Sequence, residues 1–395
     1  MLQLNKKFNT DNVLDCFKDD NWPEVILNTY PIFKKLSSCQ QDPKYHEEGD
    51  VWTHTIQVVN SLLDDEECQN MYSTDVKCVL VMSALFHDIG KIYTTKHEGD
   101  RITSMGHAHC GARMVREILW DFNDYHVDVP WWFREEVANL VMLHMLPHNF
   151  LKKEDPLYYV ISASMLVNTQ FLEMLARADT NGRTCADEVN KQEGVEGVQV
   201  FGEFCVENHC YGREKQFKTE YGRYKYLADH EGHPDYNVYE GHYKGEVIMM
   251  SGLPGSGKDF FANRVYGHLD MVSLDSIRKE LKIKPTDNQG QVSQLAKERC
   301  RKHMRVGNKF VFNATNINKS TRSRWIKVFK QYNYRVLITY VEPNFNTVLQ
   351  QNRIRENAVP EAVIMKMFRK LDVPSIIECD FLEIARTNYL TPASV

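Results

Sequence analysis

Residues 246–267 commit the second half of the chain to one kind of architecture. A short apolar strand, EVIMMS, runs into the glycine-rich GLPGSGK and then into the helical stretch FFANRVYGHL. Strand, glycine loop and helix in that order build a phosphate cradle. Glycines let backbone N–H groups wrap an anion, the helix N-terminus adds positive potential, and a lysine reaches the outer phosphates. Gly252, Gly255, Ser256, Gly257 and Lys258 are the residues placed for this, with ATP or another nucleoside triphosphate as the expected ligand. MVSL, KFVFN and YRVLITYVE follow as short apolar strands between helical segments, the pattern of a parallel sheet. One position departs from the usual loop. After the lysine a Ser or Thr normally offers its hydroxyl to the nucleotide's Mg²⁺, and here stands Asp259. A carboxylate is a hard oxygen ligand suited to Mg²⁺, directly or through water, at the cost of one more negative charge near the phosphates. Lysine and glycines are all retained, so Asp259 reads as a working variant.

Further clusters follow in order along the same sheet. After the second strand comes Leu274-Asp275-Ser276-Ile277-Arg278, where a carboxylate can take a proton from an attacking hydroxyl and an arginine lies one helical turn later. Thr286-Asp287-Asn288-Gln289-Gly290 is polar and loop-like. Asn313-Ala314-Thr315-Asn316 ends the third strand, where open α/β sheets bind ligands. Asn352-Arg353-Ile354-Arg355-Glu356-Asn357 reads as a lid whose arginines can neutralise a phosphoryl group in transfer. Taken singly, each cluster is equally well a surface ion pair or a helix cap; their order on one sheet favours function.

Together these motifs resemble the polynucleotide 5′-kinase family, over about residues 246–395. The resemblance implies that Asp275 is the general base, that Arg278 holds the acceptor's phosphate, and that Thr315 and Asn316 lie at the substrate. It also implies that Arg353 and Arg355 are the lid arginines, Arg355 being the closer match from its distance to Val359-Pro360. The family's Asp-Thr-Asn after the third strand is Ala314-Thr315-Asn316 here, so any role of that aspartate is lost or relocated.

The first half reads as helical from about residue 51 to 180. Apolar residues recur at three- and four-residue steps in WTHTIQVVNSLL, VKCVLVMSALF, GARMVREILW and EEVANLVMLHML, and residues 160–179 read as another long helix. Fifteen histidines are many for this length. His87 and Asp88 are adjacent at the end of an apolar helix, with Gly90 as an expected helix stop. His54 lies upstream and Asp179 downstream; in a helical bundle these four can share one metal. His107 and His144 are placed for a second ion. Imidazole with carboxylate suits Mn, Fe, Co, Ni or Zn as divalent ions, and two ions can clamp a phosphate and activate a water. His109 and His148 are weaker alternatives to His107 and His144. Cys205, His209 and Cys210 lack a second well-spaced ligand pair for structural zinc.

The ordered set His54, His87-Asp88, His107, His144, Asp179 resembles the HD phosphohydrolase superfamily, over about residues 46–185, and by that resemblance Lys91 touches substrate phosphate. The expected architecture is α followed by α/β. It comprises an N-terminal extension (1–45), an all-α HD phosphohydrolase domain (46–185), a connector (186–245) and a P-loop polynucleotide kinase domain with a parallel sheet (246–395). The two halves together resemble bifunctional HD–polynucleotide kinase end-healing enzymes of bacteria and phages. That implies ATP-dependent phosphorylation of 5′-OH ends, with metal-dependent hydrolysis of 2′,3′-cyclic or terminal phosphates, on RNA or DNA ends. A separate RNA ligase would then seal them. Two rival readings are a small-metabolite or nucleoside kinase joined to a nucleotide phosphohydrolase, and a nucleotide-sensing regulatory HD protein.

Charge separates these readings. Residues 246–395 contain 24 Lys+Arg and 14 Asp+Glu, a net of +10, which leaves a net of −15 for residues 1–245. A basic half suits a polyanionic acceptor better than a free nucleoside. No stretch approaches the roughly 20 apolar residues of a membrane span, the first residues lack a secretory-signal pattern, and the ten cysteines show no disulfide spacing. A cytoplasmic location without membrane partners is therefore the expectation.

Overall fold

The computed structural model describes residues 8–71, 73–99, 101–120, 129–184, 188–236, 241–355 and 357–386. It divides into two compact units, Met1–Gln216 and Phe217–Val395.

The first unit is helical, and helix Thr74–Phe86 is its axis. Every residue from Cys78 to Phe86 is buried, so the helix is covered all round and not on one stripe. Val51–Leu63, Trp131–Leu143 and Thr169–Asn181 pack against it, and His107–Trp120 packs on Trp131–Leu143. Aromatic packing closes one end: the Phe33 ring lies 5.8 Å from Trp52 and 5.2 Å from Phe86. Phe17, Trp22, Ile26, Phe33 and Leu36 all join this core, so the described residues before 45 build the bundle itself.

Three local features differ from the sequence reading. Residues 160–179 are not one helix: Pro156–Ser164 ends, and Asn168 starts Thr169–Asn181 by accepting from Gln170 N at 3.0 Å. A small antiparallel hairpin, β1 (Lys96–Glu98) and β2 (Arg101–Thr103), follows the His87 region. Gly90 is not a left-handed stop, since its φ is −66°. A Cβ there would meet His107 O at 2.0 Å, so glycine is needed for the close approach of two backbones.

The stretch expected as a connector is shared between the units. Helix Glu188–Glu207 belongs to the first, where Phe201 packs on Phe150 at 5.6 Å. Helix Glu220–Asp229 belongs to the second, where Tyr224 is buried and carries Lys330 over its ring at 3.6 Å. Residues 186, 187 and 237–240 of that stretch lie outside the described residues. Cys205 and Cys210 are buried while His209 is exposed, and among the described residues they form no metal-ligand group.

The second unit holds a five-stranded sheet among its described residues. Its strands are β3 (Gly245–Ser251), β4 (Asp270–Ser273), β5 (Phe310–Asn313), β6 (Tyr334–Val341) and β7 (Phe381–Ala385), in the order β4-β5-β3-β6-β7. Every neighbouring pair is parallel. Val247 and Met249 of β3 join one buried cluster and Ile248 and Met250 another, so both faces are covered, as a parallel sheet requires. β3 is central, with β5 on one side and β6 on the other, which makes its carboxyl end the topological switch point where ligands bind. The edge strand β7 was not foreseen; its FLEIA has only Ala385 buried. Together these units make the fold α plus α/β, with the helical domain first.

Candidate active sites

Five helices deliver the histidines and aspartates of the first unit to one place, either within the helix or just past its end. Asp50 caps the His54 helix, accepting from Trp52 N at 2.8 Å and Thr53 N at 3.0 Å. His87 and Asp88 follow directly on the central helix, His144 follows Trp131–Leu143, His107 opens its helix, and Asp179 lies in the last turn of its own. Gly182 lets that last turn rest on the His54 helix, since a Cβ there would meet Val58 N at 2.7 Å.

The six side chains converge. His54 Nε2 lies 3.1 Å from Asp179 Oδ1, 3.3 Å from His87 Nε2 and 3.8 Å from Asp88 Oδ2. His87 Nε2 is 3.3 Å from the same Asp88 oxygen. The other oxygen, Asp88 Oδ1, is 3.4 Å from His107 Nε2 and 4.0 Å from His144 Nε2. Those two nitrogens are 3.2 Å apart. Asp88 thus joins two ligand groups, His54-His87-Asp88 and Asp88-His107-His144.

The outer ring nitrogens fix the tautomers. Nδ1 of His87, His107 and His144 faces the carbonyls of Ala84, Ser104 and Val141 at 2.7, 2.8 and 2.7 Å. A carbonyl only accepts, so each Nδ1 carries a hydrogen, and wherever the ring is neutral its Nε2 presents a lone pair inward. Lone pairs facing one another inside a protein need a cation among them. Burial and the neighbouring His107 and His87 push the pKa of His144 down to about 3, and burial with Lys91 also lowers that of His107. Both rings are neutral, the form that ligates a metal. Burial opposes ionisation of Asp88 and Asp179, but Lys91 and His87 at the first, and Arg183 and His148 at the second, hold both carboxyls well below the usual range. The donor set therefore fits one or two divalent metal ions, which His54, His87 and Asp88, with Asp179 beside them, and Asp88, His107 and His144 would hold.

Four residues beside the cluster escaped the sequence reading. Glu48 has a covered side chain whose carboxylate accepts from His46 Nδ1 at 2.8 Å and lies 2.9 Å from His54 Nδ1; its place just before the Asp50 cap was the available signal. Arg183, one turn after Asp179, reaches its Oδ2 at 2.7 Å. Gln41 accepts from Lys91 Nζ at 2.7 Å, and Lys91 also sits 2.7 Å from Asp88 Oδ2. Of the weaker histidines, His148 Nε2 is 3.6 Å from Asp179 Oδ2, whereas His109 is exposed. Above the cluster opens a cleft of about 980 Å³, its floor made by Asp88, His107, His144 and Asp179 and its walls carrying Lys91, Lys152, Lys153 and Arg183.

In the second unit the glycine loop joins β3 to helix Lys258–Tyr266. Gly255 and Gly257 adopt φ of +84° and +86°, and a Cβ on Gly255 would meet Val348 O at 2.5 Å, so the loop's path requires glycine twice over. Gly252 N is held by Thr315 O at 2.9 Å. Ser256 Oγ is buried without a hydrogen-bond partner, an orphaned donor facing the space that a phosphate would fill. Lys258 Nζ rests on Leu253 O at 2.9 Å, and burial, with Arg355 adding to it against Asp259 and Asp275, lowers its pKa to about 8. These groups fit a nucleoside triphosphate with Mg²⁺.

The remaining residues are placed unequally. Asp259 Oδ1 accepts from Asn313 Nδ2 at 2.6 Å, which fixes the carboxylate between the loop and the end of β5. Asp275 and Arg278 form an ion pair, and Arg278 Nε donates to Gln289 Oε1 at 2.8 Å. Arg355 comes close enough to act on Lys258, whereas Arg353 is exposed and paired with Glu361 at 2.7 Å. Asn316 is buried with its amide nitrogen on Met250 O at 2.7 Å, and Arg322 holds its backbone oxygen at 3.1 Å. That places Asn316 in the wall behind the loop. Glu356 of the lid run lies outside the described residues.

Comparison with known families finds one match in each unit. Residues 51–164 match the HD domain family, and residues 247–374 match a family described as AAA domain. Among the described residues no helix is long and apolar enough to cross a membrane. The chain carries an HD domain followed by a P-loop, kinase-like domain.

Proposed function

We propose that the chain heals broken nucleic-acid ends, phosphorylating a 5′-OH and hydrolysing a 2′,3′-cyclic or terminal phosphate. One observation carries this reading. A single chain bears Asp275 and Arg278 near Lys258 at the carboxyl end of its sheet, and a six-residue His/Asp cluster at the floor of a cation-walled cleft.

In the kinase half, Lys258 and the loop N–H groups hold the triphosphate and Arg355 balances charge on the transferring group. Asp275, once its ion pair with Arg278 opens, accepts the proton of the 5′-OH, and Arg278 turns to the acceptor's phosphate. Asp259, oriented by Asn313, would hold the nucleotide's Mg²⁺, whose charge would offset that of the phosphates. In the HD half, His54, His87, Asp88, His107, His144 and Asp179 would hold the metal, which when bound would supply a nucleophilic water and polarise the phosphate. Lys91 and Arg183 orient the phosphate above Asp88 and Asp179, and the fixed Nδ1 hydrogens keep His87, His107 and His144 pointing inward. RNA ends are the favoured substrate, DNA ends the variant, and a separate ligase the partner that joins the products.

The +10 charge of residues 246–395 supports a polynucleotide acceptor. Labelled ATP offered with 5′-OH oligonucleotides and with free nucleosides tests it. Label on the oligonucleotide, declining steeply with salt, is the expected result; equal labelling of nucleosides, insensitive to salt, would establish a small-metabolite kinase instead.

A further inference from the structure

The cleft over the His/Asp cluster is far larger than a phosphate. Its volume of about 980 Å³ is at the upper end of small-molecule sites, and its chemistry changes from floor to mouth. The floor holds the ligand cluster, and Lys91 and Arg183 rise from it on the lower wall, each paired with a floor aspartate. The wall turns apolar at Ile102, Met105, Met142 and Leu143, and two tyrosines, Tyr45 and Tyr159, line the opening. Their exposures are 45% and 42%, high for large rings that face a cleft. Lys44 lies over the Tyr45 ring at 5.3 Å and Lys153 over the Tyr159 ring at 5.2 Å. The lysine covers one face of Tyr45 and leaves the other for a flat partner, while the Tyr159 ring also meets Tyr158 edge-on at 5.6 Å and offers its exposed part. Met105 is 87% exposed beside them, an apolar side chain open to the same space.

Phosphate-binding cations beside the buried cluster and part-exposed aromatic rings at the opening match one ligand class, a nucleotide with its phosphate down and its base up. We propose that Tyr45 and Tyr159 form a nucleobase subsite, so the HD half acts on a nucleoside-bearing phosphate and not on phosphate esters at large. This rests on the end-healing reading for its substrate, but the subsite itself is a binding claim and is tested as one. Base–aromatic stacking is tolerant of base identity, and removing one ring typically costs about tenfold or more.

The test uses the full-length chain with Lys258→Ala, so that the P-loop does not compete for nucleotide, and the fluorescent 2-aminopurine riboside monophosphate as probe. Stacking quenches this base. Quenching is expected on binding, with affinity weakened about tenfold by Tyr45→Ala or Tyr159→Ala and kept by Tyr45→Phe and Tyr159→Phe. No quenching, or alanine variants that bind and quench like the parent, would overturn the subsite. In parallel, hydrolysis of a nucleoside 2′,3′-cyclic phosphate is compared with that of the abasic ribose 2′,3′-cyclic phosphate. The alanine variants should lose kcat/KM on the first and keep it on the second; equal loss on both would also overturn the proposal. If the parent hydrolyses neither compound, nor the 3′-phosphate of an oligonucleotide, yet quenching depends on the tyrosines, the end-healing reading of the HD half falls and the subsite stands.

Discussion

Asp259 carries the sharpest question at the scale of one residue. Its carboxylate is fixed by Asn313 at 2.6 Å, which leaves the second oxygen for Mg²⁺. Asp259→Ala should raise the Mg²⁺ concentration needed for phosphate transfer by about tenfold, and Asp259→Ser should recover part of the loss because a hydroxyl serves this position in most such loops. A metal titration of Asp259→Ala that overlays the parent would leave the residue as a helix-N-terminal charge. Lys258 offers a second handle. Burial lowers its pKa to about 8 in the free protein, and a bound triphosphate favours the charged form. Binding should therefore take up a proton above that pH, and affinity should weaken as pH rises, by about tenfold between pH 7 and pH 9. Calorimetry in buffers of different ionisation heat reads the uptake; Lys258→Arg, charged throughout, should bind with a flat pH profile. Residues such as Lys258, His87 and Asp88 were legible in the sequence because their motifs are local. Glu48 and Arg183 were not, since an ordinary Glu and Arg acquire meaning only when helices bring them to His54 and Asp179.

Between helices, the site depends on two close approaches. A Cβ at Gly90 would meet His107 O at 2.0 Å, and one at Gly182 would meet Val58 N at 2.7 Å. Neither obstacle is a flexible side chain, so a backbone must move. Gly90→Ala should cost about 1–3 kcal/mol of stability and weaken metal binding at His107 and His144, while P-loop nucleotide affinity is unchanged. Thermal unfolding and a metal titration check both; a variant with parental metal affinity would contradict the close-packing account. Periodicity showed the central helix and four of the five strands. It missed β7 because an edge strand with one buried residue lacks a core signature, and it merged two helices because the Asn168 cap sits inside an otherwise helical run. The hairpin β1–β2 escaped because strands of three residues, all exposed in β1 and none fully buried in β2, carry no pattern.

For the whole molecule, the claim is two chemical centres in one chain, each complete within its own unit: a P-loop that phosphorylates a 5′-OH and a His/Asp cluster that hydrolyses an end phosphate. The measurement that tests this most directly assays both reactions on one RNA oligonucleotide with a 5′-OH and a 2′,3′-cyclic phosphate, using the parent, Asp275→Ala and Asp88→Ala. The account predicts that Asp275→Ala loses 5′ phosphorylation and keeps end-phosphate hydrolysis within several-fold of the parent, and that Asp88→Ala does the reverse. Folded Asp275→Ala protein that loses both reactions, or folded Asp88→Ala protein that keeps full hydrolysis, would contradict it.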